Sequence, residues 1–448
     1  MLTIQFGQCG NQLGHTIHSK ILADLTFLNT GVQSQRNKEY AESTYNKWFK
    51  DVSRNGEYIA RAILVDAEQK VVNKICNDAD SGWRYDMKNV VYDAGGGCAN
   101  NWAFGYGRKG KYLGEKTVEA VRHEIERLDH FEGILFCLSS AGGTGSGVGS
   151  YTAELLRNEF PTKSVASIVV LPFTSGEVGT QNYNSLLTLS KLYDETDAVF
   201  IFENEQIHAI CTNLLKNLEA KLYDINEVIS QKLTALFQPL EDSQINLNYL
   251  VSRIASHPSY KLITIKSTPH IAASSTVYET SYKWETYIRH LKQTLRIPSY
   301  HNELVDVETK MPSQSFSARR SLMYSQSVSN LLITRGTSVR NDPIVGDELK
   351  EKELYTSWIS EADQFKHLHQ TRRLLNQEKF CALITNNSQL QKPLDTFLEK
   401  AWNAYTHSAF LHQYKRFGLE EDDFLQAFAK VENVIKSYKD LNIANTNK

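Results

Sequence analysis

Cysteine is sparse in this chain: six residues, at 9, 76, 98, 137, 211 and 381, with no Cys-x-x-Cys pair among them. That usage fits reduced thiols and argues against a disulfide framework or a zinc site. No run of eighteen or so apolar residues occurs, so no membrane-spanning helix and no membrane insertion are expected. The opening Met-Leu-Thr-Ile-Gln-Phe-Gly has neither the basic region nor the apolar stretch of a signal peptide. Neither sign of charge prevails. The 49 basic and 51 acidic residues leave −2, which gives no case for a nucleic acid partner. Repeats and low-complexity segments are missing too. What remains is ordinary globular composition, 41% hydrophobic and 22% charged, over 448 residues, about three domains' length. A large, soluble protein of the cytoplasm is expected.

The first two hundred residues alternate short apolar runs with longer amphipathic ones. Leu2–Phe6, Ala62–Val65, Gly133–Leu138, Val165–Leu171 and Ala198–Phe202 read as strands, and Val118, Val121, Ile125 and Leu128 have helical spacing. Such alternation predicts an α/β fold with a mostly parallel sheet covered on both faces. A stripe at Leu218, Leu222, Ile225, Ile229, Leu233 and Leu236 predicts a spine helix of about five turns, ending before Pro239. Residues 261–266, 320–335 and 379–385 read as further strands and 298–320 as a loop. Two helices, 389–409 and 419–441, close the chain. In the second, Phe424, Phe428, Val431, Ile435 and Tyr438 mark the buried face. The expected division is 1–204, 205–388 and 389–448.

Two glycine-rich segments compete for a phosphate. Gly105-Tyr106-Gly107-Arg108-Lys109-Gly110 has dinucleotide-fingerprint spacing, but Asn100–Phe104 before it does not read as a buried strand. As a Walker loop it fails at Tyr112, where Ser or Thr must meet magnesium. Ala141-Gly142-Gly143-Thr144-Gly145-Ser146-Gly147 follows a strand directly and opens a helix, so backbone N–H groups can converge on an anion. Phosphate binding is assigned there. Elsewhere, His123-Glu124 lacks the second zinc histidine, since position 127 is Arg. His367 and His369, two apart in a strand-like stretch, read as a solvated face.

That heptapeptide, with Gly7-Gln8-Cys9-Gly10-Asn11-Gln12, resembles the two most diagnostic loops of the tubulin superfamily. Val65–Glu68, Ala99–Ala103, Asn182–Asn184, Glu203–Glu205, Asp224–Asn226 and Ala409–His412 are similar to further tubulin landmarks, in tubulin order. Within the superfamily the delta class is most similar, on Ala141 at the head of the glycine loop, Gly176-Glu177-Val178 and Leu354-Tyr355-Thr356-Ser357-Trp358.

The resemblance implies a GTP site at the carboxyl ends of the strands, with Mg²⁺ beside it. Gln8, Cys9 and Gln12 would face phosphate from the first helix. Ser139, Gly142, Gly143, Thr144 and Gly145 would cradle phosphates, and Asn100 would approach the outermost one. Asp66 and Glu68, two apart at a strand end, would point the same way and hold the hydrated metal. Asn204 and Asn226 would read guanine, since an amide offers donor and acceptor together. Two positions depart from the family: its ribose-contacting glutamate falls on Gln181 and its base-stacking aromatic on Leu222. These losses, about 1 and 0.5–1.5 kcal/mol, would weaken binding some tenfold to a hundredfold.

The resemblance also implies other tubulins as partners and a place in the cytoskeleton, at centrioles and basal bodies with their triplet microtubules. The alternative is a soluble GTP-dependent regulator that binds tubulins or assembly factors without polymerising. Any GTPase activity would be slow and completed by a neighbouring subunit. The family's acidic positions for that step fall on Asn246 and Tyr249, within Gln244–Tyr249, although Glu241 and Asp242 lie just upstream. The end, Asp440 to Lys448, has no glutamate cluster, so no chain-adding glutamate modification is expected on it.

Overall fold

The computed structural model describes residues 1–27, 34–52, 57–77, 82–93, 95–128, 131–176, 178–241, 246–271, 283–297, 323–336, 346–375 and 377–443. Glu177, Asp242, Gln244, Ile245, the loop over 298–320, residues 320–322 and the last residues, 444–448, lie outside these.

Among the described residues ten strands form the main sheet: β1 Leu2–Phe6, β2 Ala62–Asp66, β3 Val90–Tyr92, β4 Ile134–Ser139, β5 Val165–Leu171, β6 Ala198–Glu203, β7 Leu262–Thr268, β8 Ser327–Gly336, β9 Phe365–Gln370 and β10 Lys379–Asn387. Their order is β9-β8-β10-β7-β6-β5-β4-β1-β2-β3. From β3 to β7 every pairing is parallel; β10 then runs antiparallel to both β7 and β8. The five early strands fall within a residue of their expected bounds. Four are largely apolar runs, as a strand covered on both faces requires, and β1 alternates Leu2, Ile4 and Phe6 with Thr3 and Gln5, which are buried as well.

Alternate residues of these strands feed two cores. Leu2, Ile4, Phe6, Ile134, Phe136 and Leu138 face one; Leu135, Cys137, Ala166, Ile168 and Val170 face the other. Fully burying one such large side chain contributes about 1.5–3 kcal/mol. The helices that matter for the site are α1 Gly7–Thr26, α2 Gly110–Ile125, α3 Gly149–Glu159, α4 Gln181–Glu195, α5 Leu222–Phe237, α6 Leu247–Ile254, α7 Gln391–Thr406 and α8 Glu421–Ile443. On the first core, α7 and α8 pack on α4 and on each other. The face expected for α8 is the buried one: Phe424, Phe428, Val431, Ile435 and Tyr438 are all 4% exposed or less.

On the second core, α5 packs on α1 and reaches β7, β8 and β10. It is shorter than the stripe implied. The helix has 16 residues and begins at Leu222; Leu218 lies before it and is 85% exposed. The start is set by Asp224, whose carboxylate accepts the Lys221 N–H at 2.8 Å. At its other end Arg335, 1% exposed, donates to the carbonyls of Ala235, Gln238 and Pro239. The first two are acceptors a helix end leaves without partners; Pro239 lies just beyond it.

His367 and His369 do not form a solvated face. Both are half-buried: His367 Nε2 lies 2.8 Å from Thr334 Oγ1, and His369 Nε2 lies 2.9 Å from a Glu241 carboxylate oxygen.

Candidate nucleotide site

The six strands β3-β2-β1-β4-β5-β6 wind outward in two directions from the β1–β4 pair. In such sheets ligands settle in the crevice beyond the carboxyl ends, at the strand pair where the order reverses. The loops after β1 and β4 meet there. Gly7, with φ +67, turns the chain from β1 into α1, and a Cβ on it would lie 2.9 Å from the Gly145 nitrogen. Only glycine gives both that turn and that approach.

The sequence-assigned residues line the carboxyl edge in strand order. Asn204 follows β6, Gln181 opens the helix after β5, and Ser139 ends β4 with Gly142–Gly145 beyond it. Gln8, Cys9 and Gln12 follow β1, Asp66 ends β2 with Glu68 beyond it, and Asn100 lies after β3. From β6 to β2 is four strand steps, about 19 Å at roughly 4.8 Å each.

At the centre, the chain leaves β4 and winds through a π-helical turn, Thr144–Val148, into α3. The first N–H groups of a helix lack intrahelical acceptors and carry its positive pole. An added Cβ at Gly142 would meet no heavy atom within 4 Å, so this backbone faces open space. Ser139 Oγ accepts the Ala141 N–H at 3.2 Å and shapes the turn. Gln8 is exposed, whereas Cys9 and Gln12 are half-buried. Burial pushes the Cys9 thiol up to about 12, so it stays a neutral donor.

A second wall stands against this cradle. A Cβ at Gly143 would lie 2.6 Å from Cys98 Cβ and 2.8 Å from the Asn101 nitrogen, so segment 98–101 rests directly on the glycine loop. Ala99 and Asn100 both hold left-handed backbone, φ 48 and 51, a strained conformation for non-glycine residues. Their neighbours fix it. The Asn100 carbonyl accepts from Thr180 Oγ1 at 3.0 Å and from Asn184 Nδ2 at 2.8 Å, while Trp102 N–H donates to Asn184 Oδ1 at 2.9 Å. Thr144 Oγ1 reaches Cys98 Sγ at 3.4 Å.

Asp66 and Glu68 do not form the matched pair expected of one strand. The strand ends at Asp66, which is 3% exposed; Glu68 is exposed and packs on Gly97. Asp66 Oδ1 accepts the Glu68 N–H at 3.1 Å, but its buried Oδ2 has no hydrogen-bond partner. Desolvation pushes the Asp66 carboxyl up to about 6. A buried carboxylate oxygen without a donor fits a cation. Among the described residues no cluster of three or more His, Cys, Asp or Glu could cage a metal. That leaves room only for an ion that keeps most of its waters, as Mg²⁺ does.

At the β6 end, Asn204 is half-buried and opens a short helix, Asn204–Ala209. Asn226, the fifth residue of α5, is 7% exposed, and among the described residues neither amide makes a side-chain hydrogen bond. Gln181, 6% exposed, is committed in part: its Nε2 donates to the Phe173 carbonyl at 3.0 Å. Leu222 and Tyr223 are 55% and 66% exposed. Sequence reasoning missed the supports. Asn184 holds both Asn100 and the Ala141 carbonyl, the latter at 2.7 Å, although the Asn182–Asn184 motif is plain in the sequence.

The Tubulin/FtsZ family, GTPase domain, matches residues 1–212. Along nearly its whole length the chain is similar to the tubulin delta chain of Homo sapiens, 34% identical over 456 residues covering 98% of this chain and 100% of that one. It is also 34% identical over 457 residues to the tubulin delta chain of Mus musculus, covering 98% and 99%. With the tubulin beta-1 chain of Colletotrichum gloeosporioides the identity is 26% over 453 residues, covering 98% and 94%.

Proposed function

The chain belongs to the tubulin family, with more identity to delta chains than to a beta chain, and on that premise we propose that it binds GTP along the carboxyl edge of its parallel sheet and joins other tubulins. The observation that carries this reading is the order of groups along the edge. Amides uncommitted among the described residues lie at the β6 end, a side-chain-free backbone cradle at the β4–β1 centre, and carboxylates at the β2 end. A base, its phosphates and a cation need that succession, in that order.

In this reading Asn204 and Asn226 hold guanine, each offering a donor and an acceptor. Gln181 meets the ribose with its remaining amide atoms. Leu222 gives apolar contact without a stacked ring, which costs about 0.5–1.5 kcal/mol against an aromatic pair. Gly142–Gly145, Ser139, Gln8, Cys9 and Gln12 hold the phosphates, and Asn100 closes on the outermost. Asp66 and Glu68 hold Mg²⁺ through its waters; the ion supplies charge neutralisation to the phosphates.

The partners proposed are αβ-tubulin or other centriolar tubulins, and the delta-class resemblance implies a part in triplet microtubule assembly or maintenance at centrioles and basal bodies. Hydrolysis is not assigned to this chain alone. Competition binding on the purified full-length chain tests the nucleotide reading. GTP should displace a fluorescent guanine nucleotide well ahead of ATP, and Asn226→Leu should erase the difference. Equal displacement by ATP and GTP in the unaltered chain would overturn it.

A further inference from the structure

Lys109 is an unusual lysine, 8% exposed. It lies at the end of the π-helical turn Phe104–Lys109, before α2, and its Nζ is 2.5 Å from Asp93 Oδ2. Asp93 stands one residue after β3, and its other oxygen accepts the Gly95 N–H at 2.9 Å. A buried ammonium with one carboxylate partner is costly unless it secures something. What it secures is the near end of the wall that rests on the glycine cradle. The far end is fastened independently, by Thr180 and Asn184 on the Asn100 carbonyl. Between the two fastenings lie Gly95–Gly97, where side chains give the backbone little to hold it.

The wall follows β3, one strand step beyond the carboxylate of Asp66 and the farthest of these loops from Asn204. A nucleotide laid along the edge with its base at the β6 end meets this wall with its outermost phosphate only. A diphosphate stops short of it. The wall is also acidic, with Asp66, Glu68 and Asp93 around it, so the position of the Lys109 charge governs how well a further anion is received. The same ammonium and the Gly95 N–H hold the Asp93 carboxyl below its usual range, so that carboxylate stays ionised at neutral pH.

We propose that Lys109, through its ion pair with Asp93, is a positioning residue that sets the β3 wall for the terminal phosphate and so determines the preference for GTP over GDP. This rests on the nucleotide reading above. Lys109 does not touch the ligand; it acts through Asp93 and the backbone of Gly95–Asn101.

The test is the GTP-to-GDP affinity ratio of the full-length chain at fixed Mg²⁺, measured by displacement of a fluorescent guanine nucleotide. Lys109→Met keeps the stem and removes the charge. It should lower GTP affinity about tenfold while GDP affinity changes less than twofold, and Lys109→Arg should restore most of the ratio. If Lys109→Met fails to fold, the double variant Asp93→Asn with Lys109→Met removes both charges and should show the same loss. A wild-type chain that binds no guanine nucleotide would overturn the nucleotide reading and this inference with it. A wild-type chain that prefers GTP, with the ratio intact in Lys109→Met or in the double variant, would overturn the inference alone.

Discussion

Gly142 and Gly143 are adjacent and chemically identical, yet the structure gives them opposite prospects. An alanine methyl at Gly143 would sit 2.6 Å from Cys98 Cβ and 2.8 Å from both the Cys98 oxygen and the Asn101 nitrogen. Those are atoms of the second wall, and overpacking of that kind costs about 1–3 kcal/mol. At Gly142 the methyl meets nothing within 4 Å. Its φ lies outside the left-handed range, so Gly142→Ala should leave stability within about 0.5 kcal/mol, or raise it slightly by restricting the unfolded chain. The open space is where phosphate oxygens would sit. A methyl there blocks close approach to the backbone N–H groups, and one charge-assisted hydrogen bond is worth about 1.5–3 kcal/mol. Gly142→Ala should therefore bind GTP about tenfold to a hundredfold more weakly while unfolding like the wild type. Gly143→Ala should lose both. Urea unfolding beside nucleotide titration separates the two effects. Full GTP affinity in a stably folded Gly142→Ala chain would refute the cradle.

Three further outcomes follow from particular residues. Buried His18 bonds the Gly14 carbonyl through Nδ1, and desolvation lowers its pKa from 6.5 to about 4. The unfolded chain therefore takes up a proton that the native one refuses. Stability should fall by about 3 kcal/mol as pH drops from 6.5 to 4, and His18→Phe should flatten that slope; identical slopes would contradict the assignment. Arg335→Met strips donors from three carbonyls at the end of α5 and should cost about 3–5 kcal/mol in urea unfolding, with a loss under about 1 kcal/mol counting against the role. Asn246 caps α6 by accepting the Tyr249 N–H at 2.9 Å, and Glu241 is engaged by Thr371 N–H and His369. A subunit docked by this face on another tubulin's nucleotide should therefore leave that GTP largely unhydrolysed, a deficit of about 10²–10⁴ in rate. Rapid phosphate release abolished by changing Glu241, and not Tyr249, would show that the carboxylate comes from there.

The parallel strands were legible because both faces are buried, so Val165–Leu171, apolar but for Ser167, has bounds that need no adjustment. The glycine cradle was legible for a local reason: strand, glycines and helix follow one another within the sequence. The α5 start was not. Periodicity carries through Leu218, and only the Asp224 cap, which competes with that pattern, stops the helix at Leu222. The supports of the site were hidden because their partners are distant along the chain. Lys109 meets Asp93 16 residues away and Asn184 meets Asn100 84 residues away, and neither spacing carries a signal. The histidines of β9 misled in the same way. Their alternation resembles a solvated face until Thr334 on β8 and Glu241 after α5 are brought to them.

One guanine nucleotide should lie along the carboxyl edge from Asn226 to Asp66. The most direct measurement is to purify the full-length chain with Mg²⁺, wash it, denature it, and identify and count the nucleotide released. Close to one guanine nucleotide per chain is expected from the wild type, and much less from Asn226→Leu and Gly142→Ala chains that remain folded. A folded wild-type chain that releases no nucleotide and takes up no added GTP, or that releases adenine nucleotides instead, would contradict it.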